Sequence, residues 1–326
     1  MTTTRISDVV VPEEFTNYIV ENVATKTNLT ASGLLVPNSV MNTQLKAGAD
    51  SYPVPVWLDL GDDEADIIND DPDSLSVPSK LGSSKQSVRK SFLHKSWSAM
   101  NLASELAGSS AINRIQDRTT AYWDRQLQKR LVSSLMGIKA ANIAKNDGDM
   151  VVGISGSAGP FSAEAVIDAI GTLGDSLGDV VAIAMHSAIY LQALKNDLIE
   201  TLTDSQGRPF QVFRGLAVIV DDGLTPVDGN YTSVLFGAGV FGYGISAPNN
   251  SAGTEIENKP SAGNGGGMQI LHNRINLSIH PAGFSWADGV DGVVGISPTI
   301  AELAVADRWT RISERKNVKL AFLVTK

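Results

Sequence analysis

Residues 59–95 read DLGDDEADIINDDPDSLSVPSKLGSSKQSVRKSFLHK, and this stretch separates its charges into two limbs. The acidic limb contains no Lys or Arg and eight carboxylates, at Asp59, Asp62, Asp63, Glu64, Asp66, Asp70, Asp71 and Asp73. The basic limb that follows contains Lys80, Lys85, Arg89, Lys90 and Lys95. Like charges within a limb repel and keep it extended, whereas opposite limbs attract each other or the same segment of another copy. The pattern therefore favours a protein that contacts copies of itself.

Both limbs belong to a predicted extended loop, or long β-hairpin, that spans residues 46–95. Pro53 and Pro55 stand in the extended run that enters it, and proline removes a ladder hydrogen bond, so residues 52–57 are predicted to form an edge strand or an arm. A structureless loop of this length is uncommon in a compact domain and is usually functional. Its apolar side chains, Trp57 among them, need burial that a neighbouring copy can supply. A solvated loop without a partner is the alternative.

The chain after the loop predicts one long amphipathic helix. An N-cap at Ser109 or Ser110 starts it, and it extends at least to Met136 and as far as Ala144. Its buried stripe recurs at steps of three and four, at Ile112, Ile115, Thr119, Tyr122, Trp123, Leu127, Leu131 and Leu135. The polar residues between them, Gln128 included, predict the solvent-facing side. A separate short helix is predicted over residues 12–26.

The C-terminal half mixes short helices with strands. Helices are predicted at 162–173, from a cap at Ser187, and at 299–309, and a flexible loop at 248–267. Strands are predicted at 180–185, 212–220, 231–236, 268–280 and 318–324. Consecutive strands with little helical crossover favour an α+β fold over a doubly wound parallel sheet.

The composition excludes several classes of protein. With 326 residues and 43% hydrophobic content, the chain can bury two or three domain cores. It has no cysteine, which excludes disulfides, thiol catalysis and Cys-ligated metals. No apolar run approaches the roughly 18 residues of a membrane helix. A net charge of −9 argues against a broad nucleic-acid-binding face, although a chain that merely encloses nucleic acid is compatible with it.

No candidate for catalysis, cofactor binding or metal binding withstands comparison with a structural explanation. Ser187 beside His186 is explained by helix capping, and no nucleophile elbow surrounds it. Residues 237–242 match the dinucleotide fingerprint, but an extended segment follows where a helix is required. The four histidines lack a ligand set with metal spacing. The sequence therefore predicts no catalytic, cofactor or metal residues, with a small-molecule enzyme built around His186 and Asp221 as a remote alternative.

Several ordered segments resemble the major capsid proteins of tailed bacteriophages, which share the HK97 fold. They are 109–137, 185–187, 220–222, 280–284 (HPAGF) and 307–322, and their order covers essentially the whole chain. The resemblance implies an N-terminal arm (1–45), an extended loop or E-loop (46–95), a peripheral domain with a spine helix (96–150), an axial domain (151–300, with part of the peripheral sheet) and a C-terminal helix and strand (301–326).

The resemblance also implies partners. Copies of the chain would form pentamers and hexamers of an icosahedral shell, assembled in the host cytoplasm around double-stranded DNA that is bound without sequence specificity. The extended loop would lie over an adjacent subunit, so Trp57, the eight acids of the acidic limb, Lys80, Lys85, Arg89 and Lys90 are predicted to contact neighbouring subunits. Since only a short arm precedes the loop, a separate scaffolding protein is expected, with a portal protein; a decoration protein is left open. A nanocompartment shell of the same fold, similar to encapsulins, is the main alternative.

Overall fold

The computed structural model describes residues 27–57, 60, 64–68, 70, 73, 75, 78–153, 159–203, 209–288 and 292–326. The helix predicted at residues 12–26 lies outside this part of the chain. The α-helices are α1 (Asn28–Ala31), α2 (Ser39–Lys46), α3 (Asn101–Ala107), α4 (Ala111–Lys145), α5 (Ala163–Gly171), α6 (Ser187–Lys195) and α7 (Ile300–Leu303). Short 3-10 helices cover Gly174–Asp179, Ala306–Arg308 and Arg315–Asn317.

The strands are β1 (Leu35–Pro37), β2 (Ser51–Trp57), β3 (Ser83–Arg89), β4 (Ser91–Met100), β5 (Val151–Val152), β6 (Ala182–Met185), β7 (Glu200–Thr203), β8 (Pro209–Phe213), β9 (Leu216–Val220), β10 (Tyr231–Phe236), β11 (Phe241–Ser246), β12 (Thr254–Lys259), β13 (Met268–Pro281), β14 (Phe284–Trp286), β15 (Trp309–Arg311) and β16 (Leu320–Thr325).

Two mixed sheets organise these strands. In the first sheet, the long strand β13 pairs with β4 along one edge and with β12 and then β11 along the other, and β1 adds to β11 in parallel. The second sheet has the order β5-β16-β10-β6-β9-β8-β7. Strands β14 and β15 form a small separate pair, as do β2 and β3. Helices on mixed sheets confirm the predicted α+β class.

The long helix α4, called the spine helix here, connects the two sheets. The Ser110 hydroxyl caps it by accepting from the Asn113 amide (3.3 Å), and its 35 residues extend about 52 Å at 1.5 Å per residue. Near its middle, Trp123 Nε1 donates to Asn273 Oδ1 of β13 (2.6 Å). Its C-terminal half is buried in one apolar core with the inner faces of both sheets. The cap and the length confirm the helix that the sequence predicts.

Side chains along the strands of the second sheet alternate between its two faces, and the second face forms a second apolar core. Val234 and Phe236 of β10 face the spine helix, whereas Leu235 faces α5 and α6 on the opposite side. Both faces of this sheet are therefore covered by helices.

Among the described residues, no helix is long and apolar enough to cross a bilayer.

Several predicted elements need correction. The strand predicted at 212–220 is a hairpin of β8 and β9, because Arg214 and Gly215 take positive φ values of 46° and 87° and turn the chain. The loop predicted at 248–267 contains β12, which pairs with β13. The predicted helix at 299–309 is only the single turn α7 followed by a 3-10 turn.

Two predicted side-chain roles were also wrong. Gln128 is buried, although its place between charged residues predicted a solvent-facing position. The N-cap of α6 is His186 instead of Ser187, since His186 Nδ1 accepts from the Ala188 amide (3.1 Å).

Candidate functional site

The hairpin of β2 and β3 forms a sheet of its own and is the main candidate for an interaction site. Its register runs from Ser51 opposite Arg89 to Trp57 opposite Ser83, and within the described residues these two strands pair only with each other. Within the described residues, β2 is therefore an edge strand, as Pro53 and Pro55 predicted. Strand β4 begins at Ser91 and pairs with β13, so the hairpin ends near Arg89, before the predicted loop boundary at residue 95.

The segment between β2 and β3, residues 58–82, is called the loop tip here. Its described apolar side chains are largely exposed: Leu60 by 70%, Ile67 by 85%, Ile68 by 97% and Leu75 by 84%. A folded subunit that exposes such large side chains together presents a surface suited to a partner. These side chains therefore contribute little to the stability of a single folded subunit.

Polar contacts hold the base of the hairpin to the first sheet and to β14. Tyr52 Oη and Ser278 Oγ of β13 are 3.4 Å apart, and the Ser87 amide donates to Ser285 Oγ of β14 (3.0 Å). The fully buried Lys90 donates from Nζ to the Ala47 carbonyl (2.7 Å) and lies over the Tyr52 ring. These contacts fix the base of the hairpin to the rest of the subunit.

The hairpin and the spine helix lie on opposite sides of the first sheet. Tyr52 reaches Ser278, whereas Trp123 of the spine helix reaches Asn273. Even and odd positions of one strand point to opposite faces.

The structure separates the predicted contact residues into groups. Glu64, Asp66, Asp70, Asp73, Lys80 and Lys85 are exposed on the hairpin. Asp59, Asp62, Asp63 and Asp71 lie outside the described residues, and Trp57 ends β2.

Arg89 and Lys90 have partners within their own chain. Arg89 pairs with Asp50 (2.9 Å) and Asp288 (3.3 Å), and Lys90 is the buried anchor already described. The sequence placed both in the basic limb but gave no sign of these partners, because Asp288 is distant along the chain. The structure therefore assigns these two side chains to the base of the hairpin.

The carboxylate of Asp221, a candidate for the alternative enzyme, is occupied by structural contacts. It is buried, and it accepts hydrogen bonds from the amides of Leu29 (3.2 Å) and Gly223 (2.8 Å) and from Gln128 Nε2. Gln128 Oε1 in turn accepts from the Thr30 amide (3.2 Å). These three donors give the buried carboxylate a structural explanation, and the cluster ties the start of the described chain to the spine helix.

His186 is likewise explained by structure, because its Nδ1 caps α6 and its Nε2 lies 3.7 Å from the exposed Asp222. Within the described residues, no group of three His, Cys, Asp or Glu side chains is arranged to hold a metal ion.

The fold defines the class of protein. The chain shares its architecture with the capsid of cyanophage Pam1, at a TM-score of 0.59 and 10% identity over 96% of both chains. It also matches the SrpI encapsulin of Synechococcus elongatus, at a TM-score of 0.53 and 10% identity over 95% of this chain and 91% of that one. These likenesses concern the fold alone, and they identify the HK97-type capsid fold.

One curated relative is specific enough to show the family. The major capsid protein of Bacillus phage SPP1 is 34% identical over 98% of this chain and 97% of its own length. No protein-family model matches the sequence. The chain belongs to the major capsid proteins of tailed bacteriophages, and it is a structural protein, not an enzyme. The resemblance noted in the sequence is thus confirmed.

Proposed function

We propose that each subunit contacts a neighbouring copy through its loop tip, and that these contacts help to close the shell. The observation that carries this proposal is the exposure of Ile67 and Ile68 by 85% and 97%. Burying a side chain of this size contributes about 1.5–3 kcal/mol. An exposed ion pair contributes only about 0–1 kcal/mol. The apolar pair would therefore supply most of the contact energy, and the charges around it would select the partner surface.

The charged side chains keep the role that the sequence assigned to them. Glu64, Asp66 and Asp70 flank the apolar pair, and Lys80 and Lys85 lie on the returning limb, all exposed. Opposite-sign surfaces of adjacent subunits would pair with them and set the register of the contact. The predicted domain boundaries place the loop between an N-terminal arm and a peripheral domain, and the separate first and second sheets support a peripheral and an axial domain.

We further propose that the shell encloses double-stranded DNA on the side of the spine helix. Lys129 is exposed on this helix, and Arg118 and Arg125 are partly exposed. A few cations spread along a helix suit non-specific contact with phosphates. Pentamers and hexamers, assembly in the bacterial cytoplasm, and scaffolding, portal and decoration partners stay predictions from the resemblance.

The double variant Ile67→Ser/Ile68→Ser tests the role of the loop tip. We expect a loss of at least about tenfold in the fraction of protein found in shells, because most of the contact energy is removed. The free energy of unfolding of the unassembled subunit should not change, since both side chains are exposed there. Electron microscopy and sedimentation measure assembly, and urea unfolding measures subunit stability.

Val294→Ser is the matched control, because Val294 is 94% exposed but lies outside the loop. It should leave shell formation intact. Normal shell formation by the double variant would contradict the proposed apolar contact of the loop tip. The family assignment would not be affected, because it rests on sequence identity.

A further inference from the structure

Two histidines meet on the surface of the first sheet. His94 of β4 and His272 of β13 come from strands that are distant in sequence but paired in the sheet. His94 Nε2 and His272 Nδ1 are 3.2 Å apart, and the two rings lie 22° from parallel. His94 is exposed and the His272 side chain is 22% exposed, so the pair lies at the surface of the subunit.

This separation suits two ligands of one metal ion. Zinc binds histidine nitrogens at 2.0–2.1 Å, so two nitrogens at tetrahedral positions are about 3.3 Å apart. A direct hydrogen bond between the rings has a similar length, and His94 would bind the metal as the tautomer that carries its hydrogen on Nδ1 instead of Nε2. The two nitrogens are therefore already at the separation that a shared ion needs.

A carboxylate holds the second histidine in the form that a metal requires. His272 Nε2 lies 3.1 Å from Glu257 Oε2 of β12, and when it donates its hydrogen there, Nδ1 carries a free lone pair. Metal-bound histidines usually donate their other nitrogen to a carboxylate, which fixes the tautomer and strengthens the ligand. Glu257 would be the carboxylate that accepts this hydrogen bond from a metal-bound His272.

The surrounding charges permit a cation. Arg274 pairs with Glu255 (3.0 Å) and Lys259 with Glu257 (3.4 Å), so each nearby cation has a carboxylate.

We propose that His94 and His272 bind one divalent transition-metal ion, such as Zn²⁺ or Cu²⁺, through Nε2 and Nδ1. Within the described residues, no third protein ligand is in place, so water completes the coordination. Imidazole nitrogens select Cu²⁺, Ni²⁺ and Zn²⁺ over Mg²⁺ and Ca²⁺, which prefer oxygen. The site joins β4, β12 and β13.

Calorimetric titration of the full-length subunit, purified without a histidine tag, tests this proposal. At pH 7.5 we expect saturable binding of one Zn²⁺ or Cu²⁺ per subunit and none of Mg²⁺. At pH 5.5 the affinity should fall at least about tenfold, because protons compete for the nitrogens. His94→Gln and His272→Gln should each abolish the binding, and Glu257→Gln should weaken it about tenfold or more.

His186→Gln is the control, because it removes another partly exposed histidine and should leave the metal affinity unchanged. All variants sit at the surface, so folding can be checked by circular dichroism. Absence of binding by the wild type, or binding that survives in His94→Gln, would overturn the proposal in favour of a plain hydrogen bond between the rings.

Discussion

Gly137→Ala is expected to lower the free energy of unfolding by about 2 kcal/mol or more. Gly137 lies within the spine helix, where α7 and Trp309 cross it. A methyl group there would overlap the carbonyl oxygen of Leu303 and stand 2.6 Å from Trp309 Nε1. Trp309 Nε1 donates to the same Leu303 carbonyl (2.8 Å), so both partners are held in place.

Two effects of opposite sign decide the size of this change. Alanine is better than glycine in a helix by about 1 kcal/mol, which alone would stabilise the variant. Overpacking costs about 1–3 kcal/mol and occasionally more, and here the obstacle is backbone and a buried indole. The overlap therefore outweighs the gain in propensity.

Gly171→Ala is the matched control for this prediction. Gly171 ends α5, and nothing lies within 4 Å of the position that a methyl group would take. It should be neutral or slightly stabilising. Urea unfolding of the unassembled subunits measures both, and a Gly137→Ala variant as stable as the wild type would show that the spine helix does not approach the C-terminal segment this closely.

The second large effect is a loss of stability of about 2 kcal/mol between pH 7 and pH 5 that depends on His280. Burial lowers the pKa of His280 from 6.5 to about 4, although a hydrogen bond to the Phe284 carbonyl (2.8 Å) opposes the shift. The unfolded chain binds the proton near pH 6.5, whereas the folded chain binds it only near pH 4. Stability is therefore complete above pH 6.5 and falls as the pH drops from 6.5 toward 4.

His280→Gln removes this titration, while the glutamine amide keeps a donor for the carbonyl. Chemical unfolding at pH 7, 6 and 5 should show a shallower pH dependence for this variant than for the wild type, whatever its stability at pH 7. His272→Gln is the control, because it changes a histidine of the same strand at the sheet surface. Equal slopes for His280→Gln and the wild type would contradict a neutral, buried His280.

Features encoded in local sequence could be predicted. The spine helix follows from a stripe at steps of three and four and from the Ser110 cap, and the edge strand β2 follows from Pro53 and Pro55. The predictions that failed are those in which residues distant in sequence determine the local structure. Gln128 is buried because it forms hydrogen bonds with Asp221 and Thr30. Residues 254–259 form strand β12 because they pair with β13.

The candidate site could be predicted only in part, again because contacts between residues distant in sequence matter. Charge segregation along the chain indicated the hairpin, but it could not show that Arg89 and Lys90 are used within the subunit. The exposure of Ile67 and Ile68 was visible only once the folded core was known. The pairing of His94 with His272 depends on the register of β4 against β13, which no local pattern encodes.

A cryo-electron microscopy map of the assembled shell tests the central claim most directly. The loop tip, residues 58–82, should lie on an adjacent subunit with Ile67 and Ile68 covered by it, and the spine helix should face the interior. A map in which the loop tip folds back on its own subunit, or projects into solvent with both isoleucines uncovered, would contradict the account.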